Sequence, residues 1–160
     1  MTQKFHIQDT GSMGRGLFAT ALISQGEKIL EFTGSHVSFL ETIFDESGRS
    51  IQLNVDDYLD LVEPGVLTNH SCAPNAGVMD DRFLVAIADI LPGEQIFFDY
   101  STTMQENYWT LTCTCGAPAC RGVVKDFRYL PVEVQNRYLD MGIVQLFIAQ
   151  KQKLHNKSLI

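Results

Sequence analysis

The chain has 160 residues, is 45% apolar and has a mean hydropathy near zero, so one soluble globular domain with a sizeable core is expected; no run approaches the ~20 apolar residues of a membrane-crossing helix, and no membrane partner is expected. Nineteen acidic against twelve basic residues give a net charge of −7, and the last ten residues hold three lysines and no acid, which leaves −10 on the first 150. A phosphate backbone requires a basic face, so direct nucleic-acid binding is not expected, whereas a basic peptide or protein tail is the better electrostatic match.

In chain order, "MTQKFHIQDTGSMG" lacks an apolar signal region. An intracellular, reducing compartment is therefore expected: the cytoplasm, with the nucleus or non-classical secretion also compatible. "KFHIQ", "EKILEF", "IQLNV" and "FLVAIADI" are short, apolar and rich in branched or aromatic residues, which predicts strands. Between them "TGSMGRG", "SQGE", "ESGRS", "EPG", "MDD" and "LPGEQ" predict turns. "SFLETIF" spaces Phe39, Leu40, Ile43 and Phe44 as a short helix would. From Pro131, which a first helical turn tolerates, Val134, Tyr138 and Met141, then Val144, Phe147 and Ile148, form apolar faces on either side of Gly142. One interrupted helix or two short ones are expected there, offering either a lid or the surface of a homodimer.

Four cysteines occur, at 72, 113, 115 and 120. The last three lie in "CTCGAPAC", where Gly116 and Pro118 turn the chain between close-spaced thiols. In a reducing compartment this pattern suggests zinc, and a closed tetrahedral site needs a fourth ligand, for which Cys72 is the only other cysteine. Unligated thiols, or two disulfides in any of three connectivities, are the competing readings.

Four separated pieces, "SMGRGLFAT" (12–20), "NHSCAPNA" (69–76), "GEQIFFDYS" (93–101) and "CTCGAPACRG" (113–122), together closely resemble the SET-domain family of protein lysine methyltransferases. The G-x-G turn alone is a weak signal; N-H-S-C-x-P-N followed by C-x-C-G-x-x-x-C-R-G is specific. The resemblance spans residues 5 to 122. It implies a mainly β fold (a β-clip of several small curled sheets with a pseudoknot), here carrying a C-terminal helical segment. The boundaries are a SET domain over 5–108, a post-SET zinc segment over 109–122 and a helical tail over 123–160.

The resemblance further implies S-adenosylmethionine as cofactor, one structural zinc ion held by Cys72, Cys113, Cys115 and Cys120, and transfer of a methyl group to a lysine in a basic protein or peptide. Met13, Gly14, Arg15 and Gly16 match the turn at the methionine end of the cofactor, with Arg15 able to pair with its carboxylate. Asn69 and His70 match residues lining adenine and ribose, and Thr114 a position near the adenine. Tyr100 matches the catalytic tyrosine, which also borders the cofactor, and Phe98 the position gating how many methyl groups fit. Standing alone, these residues read more simply as turn, core or solvated positions.

Departures from the family pattern occur at Phe32, in "EFTG", where a channel tyrosine is common, and at Val66, Leu67 and Ile51. They keep a second reading open: a catalytically weak, zinc-stabilised module that binds a basic peptide. Asp56, Asp57, Asp60 and Glu63 crowd the insert at about 35–62, where the family usually reads its substrate. They are expected either to form a groove for a basic tail or to be solvated loop charges.

Overall fold

A computed structural model describes residues 3–45 and 48–157, with side chains at the C-terminal end described as far as Leu154. Part of the turn expected at 46–50 and the end of the lysine-rich terminus therefore lie outside the described residues.

Strands β1 (Phe5–Asp9) and β2 (Arg15–Ala19) form an antiparallel ribbon around the glycine-bearing turn. β3 (Lys28–Glu31) belongs to a second sheet; β4 (Gly34–Val37), the helix α1 (Phe39–Phe44), β5 (Ser50–Asn54) and β6 (Asp57–Leu61) make a third unit, with strand order β4-β6-β5. A 3₁₀ turn at Gly65–Leu67 leads into β7 (Asn69–His70), followed by β8 (Ala76–Met79) and β9 (Phe83–Ala86), which complete the sheet β3-β9-β8. β10 (Phe97–Phe98) runs parallel to β7, pairing Phe97 with Asn69 and Phe98 with His70. A second 3₁₀ turn spans Tyr100–Thr103, and β11 (Leu111–Thr112) pairs with β12 (Val123–Val124) across the cysteine run. A third turn, Phe127–Tyr129, precedes α2 (Val132–Met141) and α3 (Leu146–Lys157).

Local chemistry accounts for these choices. Ser38 accepts from the Glu41 N–H while the Glu41 carboxylate accepts from the Ser38 N–H, a capping box that starts α1. Asp80 and Asp81 adopt positive φ of 49° and 63°, as a tight turn joining two right-twisted strands requires. A Cβ at Gly34 would lie 1.9 Å from the Asp60 carbonyl, so only glycine lets β4 approach β6. Gly142, at φ 69°, ends α2 in the left-handed conformation, so the tail is two helices rather than one. Pro131 stands just before α2 as its N-cap, one position outside the first turn.

Among the described residues two large apolar clusters fill the interior, with a third, smaller one around the cysteines. One, beneath the small sheets, contains Leu17, Phe32, Leu59, Leu84, Ile96 and Phe98; the other gathers Phe127, Tyr138, Ile143, Phe147 and Ile148 from the tail. Each fully buried aliphatic or aromatic side chain contributes about 1.5–3 kcal/mol, so the tail is stabilised by docking on the β body. Met141, expected on the apolar face, is 39% exposed. α1 buries none of its residues, and Leu40 and Phe44 face outward. Among the described residues no helix is long and apolar enough to cross a membrane.

Candidate functional site

The parallel pair β7–β10 places Asn69 and His70 beside Phe98 and, one residue on, Tyr100. These four border a cleft of about 870 Å³, whose other walls include Met13, Ile51, Thr68, Trp109 and Thr114. The Tyr100 ring lies 4.8 Å from Phe98, 5.2 Å from His70 and 6.2 Å from Trp109, between centroids. Its hydroxyl donates to the Thr68 carbonyl at 2.9 Å, and burial raises its pKa above the ordinary tyrosine value, so it is a neutral phenol at physiological pH.

His70 is held from both sides. Nδ1 accepts the Tyr100 N–H at 3.2 Å, which puts the ring proton on Nε2, 3.4 Å from Cys72 Sγ. Burial lowers its pKa to about 4, against the opposing pull of the Asp99 carboxylate 3.7 Å from Nδ1. The imidazole is therefore neutral and donates toward sulfur, as a group supporting a thiolate does.

The four cysteine Sγ atoms lie within 4.8 Å of one another. Cys72 and Cys113 are 3.9 Å apart and Cys113 and Cys120 are 3.7 Å apart, between sulfurs. A tetrahedral ion with bonds of about 2.3 Å sets its sulfurs at about 3.8 Å, so the donor set fits zinc with no position left open. Burial pushes the Cys113 thiol up to about 12, while N–H donors from Cys72 and Ala117 overcome burial at Cys115 and bring it down to about 6. The Arg121 N–H also points at Cys72 Sγ, at 3.5 Å.

The other sequence-marked residues divide. Phe32 is fully buried behind the cleft, its ring 5.6 Å from that of Phe98. A Cβ at Gly65 would lie 2.7 Å from the Phe32 ring, so the chain passes directly over it. Gly14, at φ 70°, ends the turn that carries Met13, and Arg15 and Gly16 begin β2 directly after it. A Cβ on Gly16 would meet the side-chain amide nitrogens of Gln95 at 2.4 Å and Asn69 at 2.9 Å, so a larger residue there would have to displace those two amides. Asn69 uses its amide to donate to the Arg15 carbonyl at 3.1 Å, tying β7 to this turn. The Arg15 guanidinium is paired with Glu63.

Each of the four marked acids has a neighbouring group. Asp57 meets His36 at 2.7 Å, Asp60 faces Arg49 at 3.8 Å, Asp56 accepts the Phe39 N–H, and Glu63 takes Arg15. Asp57 and Glu63 stay about half exposed beside their basic partners, and one Asp60 carboxylate oxygen is buried without a hydrogen-bond partner.

Four important residues escaped sequence reasoning. Asp99, fully buried, takes both arms of Arg121 at 2.8 and 2.7 Å and the Tyr138 hydroxyl at 3.2 Å. Asp99 and Arg121 stand inside motifs already marked, D-Y and C-R-G, which was the available signal; nothing in the tail's periodicity singled out the Tyr138 hydroxyl. Trp109, the single tryptophan, precedes the cysteine run and packs against it.

The sequence profile of the SET domain matches residues 14–101, more than half of the chain. Histone-lysine N-methyltransferase 2B of Homo sapiens is 30% identical over 126 residues, covering 68% of this chain and 5% of that protein. Histone-lysine N-methyltransferase TRX1 of Oryza sativa subsp. japonica is 32% identical over 135 residues, covering 71% of this chain and 13% of that protein. This chain thus spans a small part of the length of these relatives. The solved methyltransferase domain of human histone-lysine N-methyltransferase SETMAR superposes with a TM-score of 0.63 at 23% identity, over 79% of this chain and 59% of that one, which shows the same fold. With its small sheets, its two terminal helices and its cysteine cluster, this chain belongs to the SET-domain family.

Proposed function

We propose that the protein is an S-adenosylmethionine-dependent protein lysine N-methyltransferase acting on a basic protein segment. The observation that carries this reading is the placement of Tyr100: its neutral phenol borders the cleft among Phe98, His70 and Trp109, beside a four-sulfur cluster that ties the 113–120 segment to the loop at Cys72. Membership of the family supports it, as do relatives named as histone-lysine methyltransferases.

The cleft offers fitting groups for the cofactor. Met13, Asn69, His70, Tyr100 and Thr114 all line it, and a volume of about 870 Å³ is within the range of small-molecule sites. When bound, S-adenosylmethionine supplies an electrophilic methyl group on a cationic sulfur. The chain's own residues position the lysine amine and keep it neutral. Phe98, Tyr100 and Trp109 give an aromatic wall where a lysine side chain leaves water, and that desolvation disfavours its ammonium form. Because the Tyr100 hydroxyl donates to the Thr68 carbonyl, its oxygen lone pairs are free to accept from the substrate amine. No covalent intermediate on the protein is required; orientation and fixed dipoles carry the rate. Phe98 adds bulk to that wall but no hydroxyl, which leaves room for an amine already methylated. Cys72, Cys113, Cys115 and Cys120 would hold zinc as a staple that fixes the Trp109–Cys115 wall of the cleft.

Calorimetric titration with S-adenosylmethionine and a radiolabel transfer assay on basic proteins test the reading, using wild type, Tyr100→Phe and His70→Ala. Binding by all but His70→Ala, and transfer by wild type reduced at least ~100-fold in Tyr100→Phe, is the expected pattern. A folded, zinc-loaded protein that binds no S-adenosylmethionine would instead favour the peptide-binding module, which the hydroxyl-free pair Phe32–Phe98 keeps in view.

A further inference from the structure

The C-terminal helices lie beyond residues 14–101, the part matched to the SET domain, yet they reach the turn that carries Tyr100. That turn, Tyr100–Thr103, is a single 3₁₀ element, a conformation with little stability of its own. Its start depends on Asp99, whose carboxylate accepts the Ser101 N–H at 3.1 Å and whose carbonyl accepts both the Thr102 N–H and hydroxyl, at 3.0 and 2.8 Å. A carboxylate with no solvent contact keeps its place only where donors surround it. Two donors are the arms of Arg121; another is the hydroxyl of Tyr138, from the middle of α2.

The far end of the same turn is held by the tail as well. The Gln145 N–H donates to the Thr102 carbonyl at 3.1 Å. Its side-chain amide donates to the Gln52 carbonyl at 2.8 Å, and Gln52 in turn accepts the Gln105 N–H at 2.8 Å, just after the turn. Tyr138 and Gln145 are both buried. Tyr138 lies in α2 and Gln145 immediately precedes α3, and this part of the tail is fixed in place by Ile143, packed against Gly77, and by Asp81, whose carboxylate accepts the Leu146 N–H at 2.7 Å.

We infer that the tail is part of the methyl-transfer apparatus: Tyr138 and Gln145 grip opposite ends of the turn bearing Tyr100, and both are positioning residues for it. This rests on the lysine methyltransferase reading above. Neither side chain touches the cleft: that of Tyr138 acts through Asp99, and that of Gln145 acts through Gln52, which holds Gln105 just after the turn, while the Gln145 main chain holds Thr102. A sub-ångström drift of the Tyr100 phenol lowers the rate without weakening cofactor binding, which depends on Met13, Asn69 and His70.

The test uses the full chain and two variants, Tyr138→Phe, which deletes one hydroxyl, and Gln145→Met, which keeps the volume and removes the link to Gln52. Rates at saturating S-adenosylmethionine, with core histones as the methyl acceptor, are compared with the KM for S-adenosylmethionine, zinc content and melting temperature. The expected result is a kcat lowered on the order of 10-fold in Tyr138→Phe and about threefold in Gln145→Met, with KM for S-adenosylmethionine within a factor of about two and zinc unchanged. Lys151→Ala, on the exposed side of α3, is the control and should match wild type. A lowered melting temperature with an unchanged kcat in Tyr138→Phe would make the tail a mere stabiliser and overturn the inference; should that variant not fold, an unchanged kcat in Gln145→Met does the same. A wild-type protein that transfers no methyl group would overturn the enzymatic reading and this inference together.

Discussion

Phe32 and Phe98 meet with ring centroids 5.6 Å apart at an interplanar angle of 52°, and this pair puts no hydroxyl beside the Tyr100 phenol. Of the two, only Phe98 reaches the cleft; Phe32 supports it from behind. In Phe98→Tyr the new phenol needs a partner, since a buried hydroxyl left unpaired costs about 1–3 kcal/mol, and the cleft is the place where water can supply one. That water occupies space otherwise open to a methylated amine. The expected outcome is a product distribution shifted toward monomethyl-lysine, read by mass spectrometry. An unchanged distribution would remove Phe98 as a gate.

The sulfur cluster gives a second expectation. Cys72→Ser should lose one equivalent of zinc per chain, because three thiolates leave the tetrahedral site open. The melting temperature is expected to fall by about 10 °C, corresponding to a few kcal/mol at this chain length. Binding of S-adenosylmethionine should weaken with it, since Trp109, Cys113, Thr114 and Cys115 all line the cleft. Elemental analysis and a thermal melt on wild type treated with a strong chelator provide the same reading without a substitution.

Gly77 and Ile143 form the seam between the two larger apolar clusters. A Cβ at Gly77 would lie 2.5 and 2.6 Å from carbons of the Ile143 side chain, both far inside contact distance. Gly77→Ala is therefore expected to destabilise the protein by about 1–3 kcal/mol through overpacking, while zinc content stays the same. Pairing it with Ile143→Val should recover part of the loss, which a double-mutant cycle by denaturant unfolding would detect.

The Arg15–Glu63 pair bears on the cofactor. Both side chains are about half exposed, so the pair contributes no more than about 1 kcal/mol to stability. If Arg15 turns to the carboxylate of S-adenosylmethionine, Glu63 competes for the same guanidinium. Glu63→Gln should then tighten S-adenosylmethionine binding by up to about fivefold, while Arg15→Ala should weaken it. Calorimetry that finds both variants equal to wild type would place Arg15 outside the cofactor site.

Much of this architecture was legible in the residues. The strand segments starting at Lys4, Glu27 and Ile51 fall on β1, β3 and β5, and the left-handed Gly142 divides the tail where its apolar faces change. "FLVAIADI" is strand only through Ala86, and β2, β4, β6 and β8 carried too little alternation, or too much motif, to read as strands. The four cysteines were legible because ligand count is a local rule, and the sulfurs do converge. Less legible was pairing across distance: Glu63 on Arg15, Asp57 on His36 and Tyr138 on Asp99 join residues between 21 and 48 positions apart. Periodicity carries no such information. Gly16 shows the same limit, since its close neighbours, the Gln95 and Asn69 amides, are ones that only the fold brings near.

The parallel pair of β7 and β10 has only two residues on each strand, too few to hold itself together. Its partners are separated by 28 positions, and the turn that follows waits for Tyr138 and Gln145 from much later in the chain. The arrangement around Tyr100 is accordingly expected to be among the last things to form as the polypeptide folds, because distant segments must close large loops before any of them is rewarded. During synthesis, a nascent chain that has not yet released residue 145 is unable to complete this geometry, whatever else has already collapsed.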